Sequence, residues 1–252
     1  MTFTDKNGKE LLFILSPNTL PEPVRNEISN LWSVLEAFVP DVVAQGDHVS
    51  AQEGFHAFHF CEYNKYAEKG YGAPSDVHHY DLKGNKYQRQ LYVSNDVKKY
   101  PDLFQGLAKG LEDTSDYINN RLKTLIPESY DRHNEYLKIL PLGGNILSPP
   151  FTGMVVNIGV ATDAHRDDGD EEYCVVCPFG RHRKGEIVIY ELKLVIEVQI
   201  FFIFAFLSRN LTHFNLEFEG NRGSVVLQSD RTIKGFAEDR NGWGHTMDEE
   251  KD

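Results

Sequence analysis

Three cysteines among 252 residues are too few and too unevenly spaced to staple a small secreted fold, and they suit a reducing compartment. Positive charge is also short. The 26 Lys and Arg stand against 38 Asp and Glu, a formal net charge of −12, which argues against a broad nucleic-acid-binding face but leaves room for a local basic groove. The N-terminus, MTFTDKNGKELLF, lacks the basic-then-apolar order of a secretion signal, so an intracellular location, nuclear or cytoplasmic, is expected. No apolar run reaches the ~20 residues that a bilayer-spanning helix needs. The greasiest stretch, 187-IVIYELKLVIEVQIFFIFAFL-207, is broken by Glu191, Lys193, Glu197 and Gln199 and reads as buried strands, with no membrane role. Asn210-Leu211-Thr212 has the form of a glycosylation acceptor, which without a secretion signal reads as chance. There is no internal repeat and no low-complexity tract.

A chain of this length can hold one sizeable core. The expectation is a single domain over 1–252, with a mixed helical part over 1–148 and a strand-rich core over 149–244. Val24, Ile28, Leu31 and Leu35 recur at helical spacing before Pro40, and Leu103, Leu107, Leu111, Ile118, Leu122 and Leu125 do so between Pro101 and Pro127, predicting two helices. A shorter helix is expected over 129–140, and strands over 54–63 and 87–93. From Pro149 onward, β-branched and aromatic runs over 154–161, 172–177, 186–192, 194–206, 210–218 and 223–228 are punctuated by Gly, Asn and Asp, the texture of an antiparallel sandwich or barrel. No helical pattern interrupts them, which disfavours a parallel βαβ sheet. The fold class predicted is α+β, a cupin-like jelly roll (double-stranded β-helix) buttressed by N-terminal helices.

The run 154-MVVNIGV-160 leads into 161-ATDAHRDDGDEE-172, a strand that should bury its residues but ends in charge. One reading is a solvated turn plus, later, a half-buried histidine. The other is a metal site. Residues two apart on a strand share a face, so His165 and Asp167 can point together into a barrel mouth, and His213 in 208-SRNLTHFN-215 can complete a set of two imidazoles and one carboxylate. That set leaves adjacent positions open and suits non-haem Fe(II). Arg222 follows His213 by nine residues and Ser224 follows Arg222 by two. Sharing a strand face, a guanidinium fork and a hydroxyl can grip one carboxylate.

H-x-D, a distal His and R-x-S together resemble the Fe(II)- and 2-oxoglutarate-dependent dioxygenases over roughly residues 149–244. Within that superfamily, 149-PPFTGMVVNIGVATDAHRDDGDEEYCVVCPFG-180 with 208-SRNLTHFN-215 is similar to the fungal branch of the TET/JBP-type oxygenases, whose characterised members oxidise the methyl group of 5-methylcytosine or thymine in DNA. The resemblance implies a metal set of His165, Asp167 and His213, and Arg222 and Ser224 on the distal carboxylate of 2-oxoglutarate, with O2 as the second cosubstrate. It places Asp170 where a polar residue reads a flipped base. Two departures stand out: Phe201-Phe202 replaces a Gly-Asp turn, and Asp230 stands where animal and protist cytosine oxidases carry a base-contacting His.

Other residues carry weaker signals. Asn157 is a strand residue that could help seat 2-oxoglutarate. Arg181, Arg183 and Lys184 in 181-RHRKG-185 read as a solvated hairpin tip or as contacts to a phosphate backbone. Cys174 and Cys177, three apart on a strand, face opposite ways as small buried residues and are no zinc pair. His56, His59, His78 and His79 read as packing or loop histidines. Three functions stay open: an oxygenase acting on a methylated base in DNA, the same chemistry on a small molecule or protein side chain, and a jelly roll that binds metal or ligand without turnover.

Overall fold

The computed structural model describes residues 1–46, 56–61, 93–139 and 147–239. A seven-stranded major sheet runs in the order β1 (Thr2–Thr4), β2 (Glu10–Ile14), β9 (Phe204–Phe206), β5 (Cys174–Phe179), β12 (Gly223–Gln228), β4 (Gly153–Ile158) and β3 (His56–Cys61). A minor sheet orders β10 (His213–Asn215), β7 (Ile187–Ile189) and β8 (Leu194–Ile196), and a ribbon pairs β6 (His182–Lys184) with β11 (Phe218–Gly220). All these pairings are antiparallel. The result is the jelly-roll core predicted, but it is not confined to 149–244: β1, β2 and β3 come from the N-terminal part.

Period-two alternation gives the major sheet two different faces. On one, Met154, Val156 and Ile158 of β4, Val225 and Leu227 of β12, and Val175, Cys177 and Phe179 of β5 are buried against the helices. On the other, Val155, Asn157, Cys174, Val176, Phe204, Phe206, Ser224 and Val226 line a cavity toward the minor sheet. Gly223 sits opposite Phe179 on the neighbouring strand, and a Cβ there would come within 2.2 Å of the Phe179 ring. Only glycine lets the ring lie flat across β12.

The helices are α1 (Glu22–Phe38), α2 (Pro40–Gly46), α3 (Asn95–Lys99), α4 (Pro101–Gly110), α5 (Glu112–Leu125), α6 (Pro127–Ile139) and α7 (Thr232–Asp239). Helix α1 buries Val24, Ile28, Leu31 and Leu35, a stripe facing the sheet. The helix expected over 103–125 is in fact two, α4 and α5, broken at Leu111. Glu27 on α1 explains the break. Its carboxylate accepts hydrogen bonds from the Asp113 and Thr114 amides at 3.0 and 2.7 Å, satisfying the orphan donors of a new helix start. The helix expected over 129–140 begins two residues earlier, with Pro127 at its first position.

The strand expected over 194–206 also divides. Between β8 and β9 a turn carries the Phe202 amide to the Gln199 carbonyl at 3.1 Å. Phe201 occupies its third position at φ +74°, where glycine is the usual residue. The Arg25 guanidinium lies over the Phe201 ring, 5.2 Å from its centroid. The 172–177 run becomes β5, starting at Cys174, and the 210–218 run splits into β10 and part of β11. Residues 62–92 lie outside the described residues, so only the end of the strand expected over 87–93 can be placed, and Val93 there forms a bridge. Among the described residues, no helix is long and apolar enough to cross a membrane.

Candidate metal centre and cosubstrate pocket

The strand expected to end on His165 stops earlier. β4 finishes at Ile158, and Gly159 turns the chain away at φ +72°. His165 is held instead by a lone antiparallel bridge to His213, with reciprocal amide-to-carbonyl bonds of 3.1 and 2.9 Å. A further amide bond, Asp167 to the Ser208 carbonyl at 3.2 Å, places Asp167 beside them. The loop is pinned by backbone, so its side chains are left for chemistry.

Three donor atoms converge, one each from His165, Asp167 and His213, all within 4.8 Å of one another. Asp167 Oδ2 lies 3.4 Å from His213 Nε2, and Oδ1 lies 3.7 Å from His165 Nε2. Each imidazole uses its other nitrogen on the main chain: His165 Nδ1 on the Asp163 carbonyl at 2.7 Å, His213 Nδ1 on the Leu211 carbonyl at 3.0 Å. With Nδ1 donating, each Nε2 presents a lone pair to the cluster. Phe206 packs edge-on to His213 at 4.8 Å, fixing the buried ring. Two imidazoles and one carboxylate fit a divalent transition metal such as Fe(II).

The cluster opens on a cavity of about 230 Å³ between the two sheets. At its other end, Arg222 is only 6 % exposed. Its Nη1 donates to the Val160 carbonyl at 2.6 Å and its Nη2 to Asn215 Oδ1 at 3.1 Å, while Phe218 lies beneath the guanidinium. Burial lowers its pKa to about 10, although Glu186 pulls the other way. Among the described residues no carboxylate comes within ion-pair distance of it, so the buried cation lacks an anion. Ser224 and Asn157, paired across β12 and β4, line the same cavity, with Asn157 Nδ2 3.4 Å from Ser224 Oγ. A dianionic keto acid fits this donor set: one end toward the metal cluster, the distal carboxylate on the guanidinium.

Asp170 and Asp230 form a second isolated bridge and line the cavity near the metal cluster. Ser208 Oγ donates to Asp170 Oδ2 at 2.6 Å. Burial, with Asp167 and Asp230 nearby, pushes the Asp170 carboxyl up to about 8. Arg181 and Arg183 are not brought to this cavity. They border a separate shallow groove with Gln199 and Glu219. The 181–185 run is not a hairpin tip but contains strand β6, and Glu219 on β11 pairs with both Arg183, at 3.1 Å, and Lys184. Cys174 lines the cavity while Cys177 joins the helix-side core. Both are free thiols, and burial pushes Cys177 up to about 12.

His59, expected as a packing or loop residue, lines the cavity. The signal was strand parity: Phe58 and Phe60 join the helix-side core, so His59 between them must face the other way. His56 shares the parity of Phe58, and His78 and His79 lie outside the described residues.

Behind Asp230, His133 of α6 is 3 % exposed and its Nδ1 lies 3.0 Å from Ser229 Oγ. Burial outweighs the pull of Glu172 and holds the imidazole at about 4, against an ordinary 6.5. The unfolded chain therefore binds a proton that the folded chain refuses between pH 6.5 and 4. Stability falls as pH drops through that window, by about 3 kcal/mol in all. Urea unfolding at pH 7 and pH 4.5 should show this loss, and His133→Asn should shrink it. An equal loss in the variant would assign the acid sensitivity elsewhere.

The fold and site together define a double-stranded β-helix with two histidines and a carboxylate at its mouth and a buried arginine within. No protein-family profile and no curated protein matches the chain. Among solved structures it is similar to NgTET1 in complex with 5mC DNA, with a TM-score of 0.62 and 14% identity, covering 91% of this chain and 76% of that one. That likeness establishes a shared fold, in agreement with the TET-type resemblance read from the sequence. An oxidoreductase of the 2OG-Fe(II) oxygenase family from Burkholderia pseudomallei aligns at TM-score 0.29 and 20% identity, over 32% of this chain and 44% of that one. A dioxygenase for auxin oxidation in rice aligns at 0.33 and 13%, over 86% and 72%. Neither is close enough to carry an argument.

Proposed function

We propose that the protein is an Fe(II)- and 2-oxoglutarate-dependent dioxygenase that hydroxylates a substrate C–H bond. One observation carries the reading: a His–Asp–His cluster and a buried arginine with no carboxylate paired to it among the described residues share one cavity. His165, Asp167 and His213 would hold the metal, whose chemistry with O2 converts 2-oxoglutarate to succinate and CO2 and delivers one oxygen atom to the substrate. Arg222 and Ser224, with Asn157, hold the distal carboxylate and so fix which end of the cosubstrate meets the metal. The apolar walls, Val198, Phe204 and Phe206 among them, exclude water. Residues 1–252 act as one oxygenase domain, a reading supported by the core that helices α1, α4 and α5 share with the major sheet. The location we infer is intracellular, nuclear or cytoplasmic, a reading that three free thiols support.

The substrate we infer is a methylated nucleobase of the 5-methylcytosine or thymine type in DNA. The fold shared with NgTET1, which was solved with 5mC DNA, and Asp170, a polar group on the cavity wall near the metal cluster, support this. Arg181 and Arg183 would touch the phosphate backbone outside the cavity. A small-molecule substrate draws its support from Glu219, which already neutralises Arg183 and Lys184, and from the net charge of −12.

The test is 2-oxoglutarate turnover with Fe(II) across methylated oligonucleotides, nucleosides and small metabolites. On the DNA reading, Asp170→Ala impairs base oxidation more than uncoupled succinate formation. Replacing Arg181, Arg183 and Lys184 together flattens the salt dependence of DNA affinity, since each phosphate contact releases counterions. Intact 2-oxoglutarate turnover with no DNA affinity at low salt would discard the nucleobase and leave the oxygenase standing.

A further inference from the structure

Two of the residues adjoining the metal ligands in sequence point away from the cavity and meet on its outer side. Arg166 lies between His165 and Asp167, and Thr212 directly precedes His213. Both converge on Glu191, in the turn between β7 and β8. Arg166 Nη2 donates to Glu191 Oε1 at 2.7 Å and Arg166 Nε to Thr212 Oγ1 at 3.0 Å. Thr212 gives its hydroxyl to Glu191 Oε1 and its amide to Oε2, each at 2.7 Å. Both carboxylate oxygens are thus used, and the three side chains form a closed ring. A backbone bond from the Tyr190 amide to the Thr212 carbonyl at 2.9 Å ties the same turn to the same strand.

This ring matters because the triad segments are otherwise joined by few bonds. The loop bearing His165 and Asp167 meets the segment leading to His213 through one isolated bridge, the Asp167 amide on the Ser208 carbonyl and the Ser208 hydroxyl on Asp170, whereas β4 and β12 pair over six residues. Those bonds fix the separation of the two segments but constrain their mutual twist less than a long ladder does. A planar guanidinium engaging a hydroxyl and a carboxylate at once removes that freedom. As an isolated ion pair, at 49% and 31% side-chain exposure, Arg166–Glu191 would contribute little to stability. Its value lies in geometry.

The geometry points to a clamp: Arg166, Glu191 and Thr212 are positioning residues that hold the two ligand-bearing segments in the register a metal needs, before the metal arrives. The inference rests on the metal reading proposed above. It also gives Thr212 of the Asn210-Leu211-Thr212 sequon a role inside the protein that owes nothing to glycosylation.

Co(II) titrated into the full, metal-free chain, followed by its visible absorption and by calorimetry, tests the clamp without turnover. Glu191→Gln and Arg166→Met should each weaken Co(II) by about tenfold, within the range that altered outer partners of metal ligands cause. Melting temperatures should stay within about 2 °C of the parent, as expected of a partly exposed pair. Because the ring acts as a unit, the double variant should be little worse than the weaker single one. Wild-type Co(II) affinity in Glu191→Gln, with His213→Ala deficient, overturns the clamp and leaves the triad intact. So do strictly additive losses, or a loss that comes only with a large fall in melting temperature. Wild-type affinity in His213→Ala would instead sink the triad itself, and the clamp with it.

Discussion

His213→Ala should abolish high-affinity Fe(II) binding and 2-oxoglutarate decarboxylation while leaving a cooperatively folded chain. The imidazole supplies one of only three donor atoms, so its loss should exceed the ~10–100-fold penalty typical of changes one shell further out. The fold should survive because His213 holds His165 through main-chain atoms, which alanine keeps, and the ring packs only on Phe206 and His165 among the ring contacts described. Metal content after reconstitution and succinate release measure the two effects, and far-ultraviolet circular dichroism with a melting curve checks the fold. Succinate formed by this variant at the parent rate would mean that the triad is misassigned.

Arg222→Ala should separate cosubstrate from metal. Iron binding should persist, because Arg222 is not among the clustered donors. Affinity for 2-oxoglutarate should fall by about 2–5 kcal/mol, the usual cost of breaking a desolvated charge pair, which is roughly 30-fold or more in Kd. The variant also strips partners from the Val160 carbonyl and Asn215 Oδ1, so some loss of stability comes with it. Arg222→Lys is the sharper variant: it keeps the charge but cannot span both acceptors and a carboxylate with one planar fork. An unchanged Michaelis constant for 2-oxoglutarate in both variants would move the anion site elsewhere.

How much of this was legible in the sequence follows from the range of the interactions involved. Helix α1 was readable because Val24, Ile28, Leu31 and Leu35 encode their face locally. Strands β4 and β12 were readable from their β-branched runs. The break between α4 and α5 was not, because the apolar spacing continues through Leu111 and the cap comes from Glu27, more than eighty residues away. The turn between β8 and β9 was hidden because Phe201 stands where glycine would have announced it. β1 and β2 are short and join the sheet only through β9, a pairing no local pattern encodes. At the site, motif spacing and donor chemistry brought forward His165, Asp167, His213 and Arg222, although His165 and Asp167 sit on a loop and not on the strand whose parity was expected to pair them. The lone bridge that sets the histidines side by side, and the ring around Glu191, are long-range and had no local signature.

The two-faced major sheet divides the chain's freedom to change. On β4, positions 154, 156 and 158 answer to the helices, while 155 and 157 answer to whatever fills the cavity; on β12 the same division separates 225 and 227 from 224, 226 and 228. Substitutions of one parity can therefore accumulate under selection for a new substrate while the other parity holds the fold, with no need for a change to be compensated across the sheet. Two such barrels can come to share few residues on their inner walls and still superpose, and a drift in specificity would be written first in alternate letters of these two strands.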